Sequence, residues 1–233
     1  MKIKRKKRLN AQGFTIIELV IGMAVSLLVM GAIYSTFLSQ HRSYLVQGET
    51  AAMQQNIRAA MFFMQREIRM AGCDPNKSGG IGFITANANS IRFTEDIVGD
   101  NPGDLPDGDT NDSNEDITYN LNDSDGDGVN DQLVRNNQPV AQNIDALDFV
   151  YLDGSSSPVV LNPGGGNVPA GSLDQIRSVE ITVVARTGRG FLPSNDGNTY
   201  FNQRNLQILA PPNDNLSRRR LTSFIKCRNI GLY

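Results

Sequence analysis

The chain has 233 residues, enough for one or two domains with a sizeable core, and its 39% apolar content excludes a collagenous or wholly disordered polymer. A single histidine (His41), no tryptophan and two distant cysteines, Cys73 and Cys227, argue against histidine triads and against zinc sites, which need three or four clustered ligands. The formal net charge of −2 conceals segregation: residues 1–13 carry six basic side chains and no acid, and the remainder carries 16 basic against 24 acidic.

The basic run is followed by Phe14–Leu38, 25 residues whose only charge is Glu18. At about 1.5 Å per residue this length crosses a ~30 Å hydrocarbon core as a helix. The Lys/Arg-rich flank predicts a cytoplasmic N-terminus with the rest of the chain on the far side. A cleavable secretory signal fits poorly, because no small-residue cleavage site follows a short apolar region. A plain anchor leaves Glu18 unexplained, since an ionisable group inside an apolar span is costly and requires a partner.

The stretch Gly13-Phe14-Thr15-Ile16-Ile17-Glu18 after a short basic leader resembles the processing site of type IV prepilins and of type II secretion pseudopilins. The resemblance implies that residues 1–13 are a leader, that a prepilin peptidase cuts between Gly13 and Phe14, and that the Phe14 amine is then methylated. It further implies that Glu18, fifth in the mature chain, neutralises the terminal amine of a neighbouring subunit in a filament.

No proline occurs from Phe14 to Gly72, so the helix is predicted to continue well past the membrane, with residues 14–40 spanning it and 41–72 amphipathic. Ile57, Ala60, Met61, Met64, Ile68 and Ala71 form an i, i+3/i+4, i+7 stripe that reads as a core-facing side, opposite Arg58, Gln65, Arg66 and Arg69. Gly22, Gly31 and Gly48 are weak points. Many major pilins carry a proline about 22 residues into the mature chain, where Ser35 stands here.

Gly72-Cys73-Asp74-Pro75 ends the helix, and residues 73–233 read as a β-rich head. Alternating runs at 91–94, 117–121, 147–151, 179–183 and 221–225 predict half-buried strands. A sheet built from them and packed on the helix stripe is an α+β arrangement, the architecture of pilin heads.

Residues 95–131 hold 13 of the 24 acidic side chains and no Lys or Arg, a composition that is either disordered or cation-binding. Within the acidic hairpin 95–135, Asp123, Asp125, Asp127 and Asp131 stand at positions 1, 3, 5 and 9 of a D-x-D-x-D-G-x-x-D run, with Gly128 at position 6 and Val129 at position 7 able to offer its carbonyl. The spacing resembles calcium loops of the EF-hand and dockerin kind and predicts bound Ca2+ at a hairpin tip, although Val134 replaces the bidentate Glu of position 12. Asp107-Gly-Asp109-Thr-Asn111-Asp112 is a poorer match.

From Ser217 to Tyr233 there are five basic residues, Arg218, Arg219, Arg220, Lys226 and Arg228, and no acid. A solvated strand, a subunit contact and a nucleic-acid surface all fit, and the last is disfavoured because no stacking aromatics are interleaved. The only two cysteines, both on the exported side, predict a Cys73–Cys227 disulfide.

The order of leader and long helix, Arg66–Gly72, acidic hairpin and an Arg-Arg-Arg…Lys-Cys-Arg-Asn ending resembles PilW-type minor pilins. That resemblance implies a non-enzymatic subunit that helps initiate pilus assembly at or near the tip, with other minor and major pilins, the inner membrane and a tip adhesin as partners. The implied course is from a single-pass inner-membrane protein with a periplasmic head to a pilus subunit at the cell surface. A J-type pseudopilin of type II secretion and a signal-anchored, calcium-dependent adhesin are the alternatives.

Overall fold

The computed structural model describes residues 13–231 except 102, 127, 128 and 130. The basic leader up to residue 12 and the predicted ligand Asp127 therefore lie outside the described residues. The chain divides into two compact units, Met1–Gln47 and Gly48–Tyr233.

Helix α1 runs over Ile16–Met70, through Gly22, Gly31 and Gly48 without interruption. In the first unit its apolar side chains are uncovered: Ile16, Leu19, Leu27, Met30 and Phe37 are all exposed. An 18-residue window of mean hydropathy 2.5 makes it long and apolar enough to cross a membrane, and none of that window is buried within the chain. Ser26 and Thr36, polar residues in this span, donate to the carbonyls of Gly22 (2.7 Å) and Ala32 (2.9 Å), so neither hydroxyl needs an outside acceptor.

In the second unit the helix buries the predicted stripe: Ile57, Ala60, Met61, Met64, Ile68 and Ala71 all enter the core. The stop is set by Gly72, whose φ of +75° is the left-handed conformation that caps helices. A Cβ there would lie 2.3 Å from the Ile230 side chain, so the close approach of the C-terminal segment requires glycine too. Asn229 reinforces this contact by donating to the Met70 carbonyl at 3.1 Å.

Strands β1 (Phe83–Ala86), β2 (Ser90–Thr94), β3 (Asp116–Asn122), β4 (Gln132–Arg135) and β5 (Gln138–Gln142) form an antiparallel meander in chain order. Its inward face matches the alternation in the sequence. Ile91 lies opposite Tyr119 and Phe93 opposite Ile117, all four fully buried. A second antiparallel sheet has the order β10-β7-β6, from β6 (Ile144–Leu152), β7 (Ser178–Arg186) and β10 (Arg218–Lys226). The short ribbon of β8 (Tyr200–Phe201) and β9 (Gln207–Leu209) completes the head.

All five predicted strands are present, but β6 and β7 are not half-buried. Nearly every residue of both is buried, including Asp148, Glu180 and Thr182. The side turned away from the α1 stripe is covered by the segment around the ribbon. Asn202 donates to Asp148 at 2.9 Å, and Arg204 makes a bidentate pair with Glu180 at 2.9 and 2.7 Å. A long helix packed on antiparallel sheets is thus the observed α+β architecture.

Candidate functional site

The N-terminal site is built by the first turn of α1. Thr15 is the N-cap: its hydroxyl accepts the Glu18 N–H at 3.3 Å, while the Glu18 carboxylate accepts both the Thr15 N–H and the Thr15 hydroxyl at 2.9 Å. This reciprocal arrangement is a capping box, which satisfies donors that the first helical turn would otherwise leave open. The Glu18 carboxylate, expected to find its partner outside the chain, has a local one in Thr15. The T-x-x-E spacing that signals it stands in the sequence as Thr15-Ile16-Ile17-Glu18. Phe14 is 91% exposed, and a Cβ on Gly13 would meet nothing within 4 Å, so neither residue is constrained by the fold around the Gly13–Phe14 bond.

The D-x-D-x-D-G loop caps the β3–β4 hairpin, as expected. Its described carboxylates are engaged within the loop and beyond it. Asp123 accepts the Gly126 N–H at 2.7 Å, and Asp131 accepts the Ser124 N–H at 3.1 Å. Asp131 also lies 3.6 Å from the Arg186 guanidinium. Asp125 and Val129 are exposed.

A second acidic segment, connecting β2 to β3, brings more carboxylates together. Oxygens of Asp100, Asp107 and Asp112 lie within 4.8 Å of one another, and so do oxygens of Asp109, Asp112 and Glu115. Asp96, fully buried beside them, accepts the Gly108 N–H at 3.1 Å. Burial, together with the charges of neighbouring carboxylates, holds Asp96 and Asp112 above the ordinary aspartate range.

The cysteines are a correction. Cys73 and Cys227 are both free thiols, not a disulfide. Cys227 follows β10 into the apolar core, where burial pushes its thiol up to about 12. Cys73 sits in the turn after α1, partly exposed; burial first and then the charges of Glu95, Asp96 and Asp74 raise it. The two side chains serve different surroundings, one the core and one an acidic turn. Maleimide treatment of the native protein should therefore add one label, at Cys73, and a second only after denaturation. A denatured, unreduced protein that takes no label would carry the bridge instead.

The basic C-terminal stretch divides in the same way. Arg219 and Arg220 are exposed on β10, but the Arg218 side chain is only 2% exposed. It contacts Asp145 at 2.5 Å, Asp214 at 2.6 Å and Asp196 at 3.5 Å, so it is not part of a solvated stripe. A second buried group, absent from the sequence expectations, is Glu67 on α1. Its carboxylate accepts the Tyr119 hydroxyl at 2.5 Å and pairs with the Arg135 guanidinium at 2.9 Å. Glu95 is buried nearby, and burial, augmented by the charge of Glu67 and opposed by Arg135, pushes its carboxyl up to about 7.

Comparison with known proteins bears on the N-terminal site. Residues 8–34 match the family model of the prokaryotic N-terminal methylation motif. No curated protein matches the chain. Among solved structures, the type IV-like pilin TTHA1219 from Thermus thermophilus aligns at a TM-score of 0.48 with 12% identity, over 76% of this chain and 96% of that one. The first turn of α1, with Glu18 closing its cap and an uncovered apolar helix behind it, thus lies within the residues that match the prokaryotic N-terminal methylation motif.

Proposed function

We propose that this chain is a minor type IV pilin of the PilW type, a structural subunit that helps initiate pilus assembly at or near the tip. The observation that carries the reading is the methylation motif over residues 8–34, at the head of an apolar helix that the chain itself leaves uncovered. A prepilin peptidase cuts between Gly13 and Phe14 and methylates Phe14, and the chain is held in the inner membrane with its basic end in the cytoplasm until it enters a filament of other pilins. In that filament the apolar surface of α1 is covered by neighbouring helices, and Glu18 faces a neighbour's terminal amine.

The local cap on Glu18 sharpens the test, because capping and charge pairing are separable. Glu18→Gln retains a side chain that closes a capping box but has no charge. Glu18→Val removes both, at about 1 kcal/mol for the cap, while lowering the cost of insertion. The expected result is a wild-type intact mass corresponding to residues 14–233 plus one methyl group. Both variants should insert and be processed, yet both should be recovered from sheared surface filaments at least about tenfold less than wild type, the factor expected from losing roughly 1.4 kcal/mol of pairing. A full-length mass would overturn the processing, and normal recovery of Glu18→Gln would overturn the charge pairing. Correct processing with no chain in surface filaments would indicate a pseudopilin instead.

A further inference from the structure

We propose that the connection between β2 and β3 is a calcium-binding centre formed by Asp100, Asp107, Asp109, Asp112 and Glu115. The centre stands on geometry and on two buried oxygens without partners. Glu115 is fully buried; its Oε1 accepts the N–H groups of Ile97 and Val98 at 2.7 and 2.9 Å, while its Oε2 is shielded from solvent and has no hydrogen-bond partner among the described residues. Asp112 Oδ2 is in the same condition. A buried carboxylate oxygen without a donor is costly, and placing several such groups side by side adds repulsion. Here the unpartnered oxygens belong to residues whose carboxylates converge: Asp109, Asp112 and Glu115 bring one oxygen each within 4.8 Å of the others.

That spacing suits a calcium ion. Oxygens at 2.3–2.6 Å from Ca2+ stand at most about 5 Å apart, so all three fit around one centre. The donor set consists of oxygen alone, which selects hard cations over zinc, copper or iron. Mg2+ requires shorter bonds and near-ideal octahedral geometry, and fits a loop of this kind less well. Asp112 also belongs to the group with Asp100 and Asp107, so it joins the two halves of the ligand set. Residues 95–131 contain no Lys or Arg that would serve in place of a metal from within the segment.

The backbone is already arranged to transmit the effect of binding. Gly108 donates to Asp96 at 3.1 Å, and Asn76, in the turn after α1, donates to the Pro106 carbonyl at 2.6 Å. An ion at Asp112 ties this connection to the end of the helix and stabilises the head through linkage. The centre is separate from the Asp123–Asp131 loop that the spacing in the sequence favoured, and that loop is the rival location.

The test uses the full-length protein in detergent, stripped with chelator and titrated with CaCl2 by calorimetry and by thermal melting. The expected result is binding at roughly 10⁻⁴–10⁻³ M, with a melting temperature that rises with calcium and rises less with magnesium. Asp112→Asn should weaken binding about tenfold or more. It should leave the calcium-free melting temperature unchanged or higher, because the amide removes a charge from a repelling cluster. Asp107→Asn, on an exposed side chain, should weaken binding in the same direction without threatening the fold. Asp125→Asn should bind as wild type. No binding up to about 10 mM overturns the proposal. So does the reverse pattern, in which Asp125→Asn loses calcium and Asp112→Asn keeps it, since that places the ion in the 123–131 loop.

Discussion

Arg218→Met is expected to lower the stability of the head by about 3–5 kcal/mol at neutral pH, the range for removing one member of a buried ion-pair group. Arg218, at 2% side-chain exposure, is the cation shared by Asp145 and Asp196, themselves only 5% and 3% exposed. The Asp214 arm is 36% exposed and adds little of this cost. Methionine fills the space but leaves Asp145, among the described residues, with Arg186 as its one remaining cation, at 3.3 Å. The group also closes the fold, since it ties the start of β10 to β6 and to the segment that covers the outer face of the second sheet. A melting temperature lower by roughly 10 °C is the expected reading.

The pH dependence of that loss has a definite sign. The Arg218 hydrogen bond holds Asp214 below the ordinary aspartate range. Burial pushes Asp196 up, but hydrogen bonds from Tyr200 and Asn198 and the charge of Arg218 outweigh it and leave it lowered. Groups with depressed native pKa values stabilise above their unfolded value near 3.9, and that contribution is lost as pH falls through the native value. Asp145 runs the other way: burial raises it, and Arg218 and Arg186 only partly offset this. Without Arg218 it rises further, an instability that protonation relieves. The deficit of Arg218→Met relative to wild type should therefore be largest near pH 7.5 and shrink toward pH 4.5. Melting curves at the two values check it, and a deficit that is constant or grows in acid contradicts the account.

Glu67→Ala is the second large loss, about 3 kcal/mol or more. Among the described residues Glu67 is the one acceptor of the Tyr119 hydroxyl on β3, and it pairs with Arg135 on β4, which is 17% exposed. Truncation leaves a fully buried phenol without its acceptor and a largely buried guanidinium without its carboxylate. Glu67→Gln keeps an acceptor for Tyr119 and should lose roughly half as much. Tyr119→Phe removes only the donor and should cost about 1 kcal/mol. Chemical denaturation of the three variants gives this order, and equal losses for Glu67→Ala and Tyr119→Phe would show that the ion pair contributes nothing.

Much of this protein was legible in the sequence because its signals are local. The α1 stripe repeats every three to four residues, so Ile57 through Ala71 marked the packed face before any partner was known. The left-handed stop at Gly72 and the alternation in β2 and β3 are equally local. The capping box of Thr15 and Glu18 is equally local, its two residues three apart in the sequence.

What only the tertiary structure decided concerns buried charge and two-sided burial. Arg218 reads as one of a basic cluster until Asp145 and Asp196, far away in sequence, close around it. Glu67 stands at the edge of the apolar stripe with no partner on its own helix, and β3 and β4 bring Tyr119 and Arg135 to it. Asp148 and Glu180 alternate as surface positions until Asn202 and Arg204 cover them. Likewise Cys73 and Cys227 looked like a pair because they were the only two, yet one points into the core and the other into an acidic turn. Periodicity tells which side of an element is apolar, since that depends on neighbours one turn or two residues away. It is silent on which polar side chains will be buried together, because their desolvation is offset only by partners that chain folding brings from elsewhere.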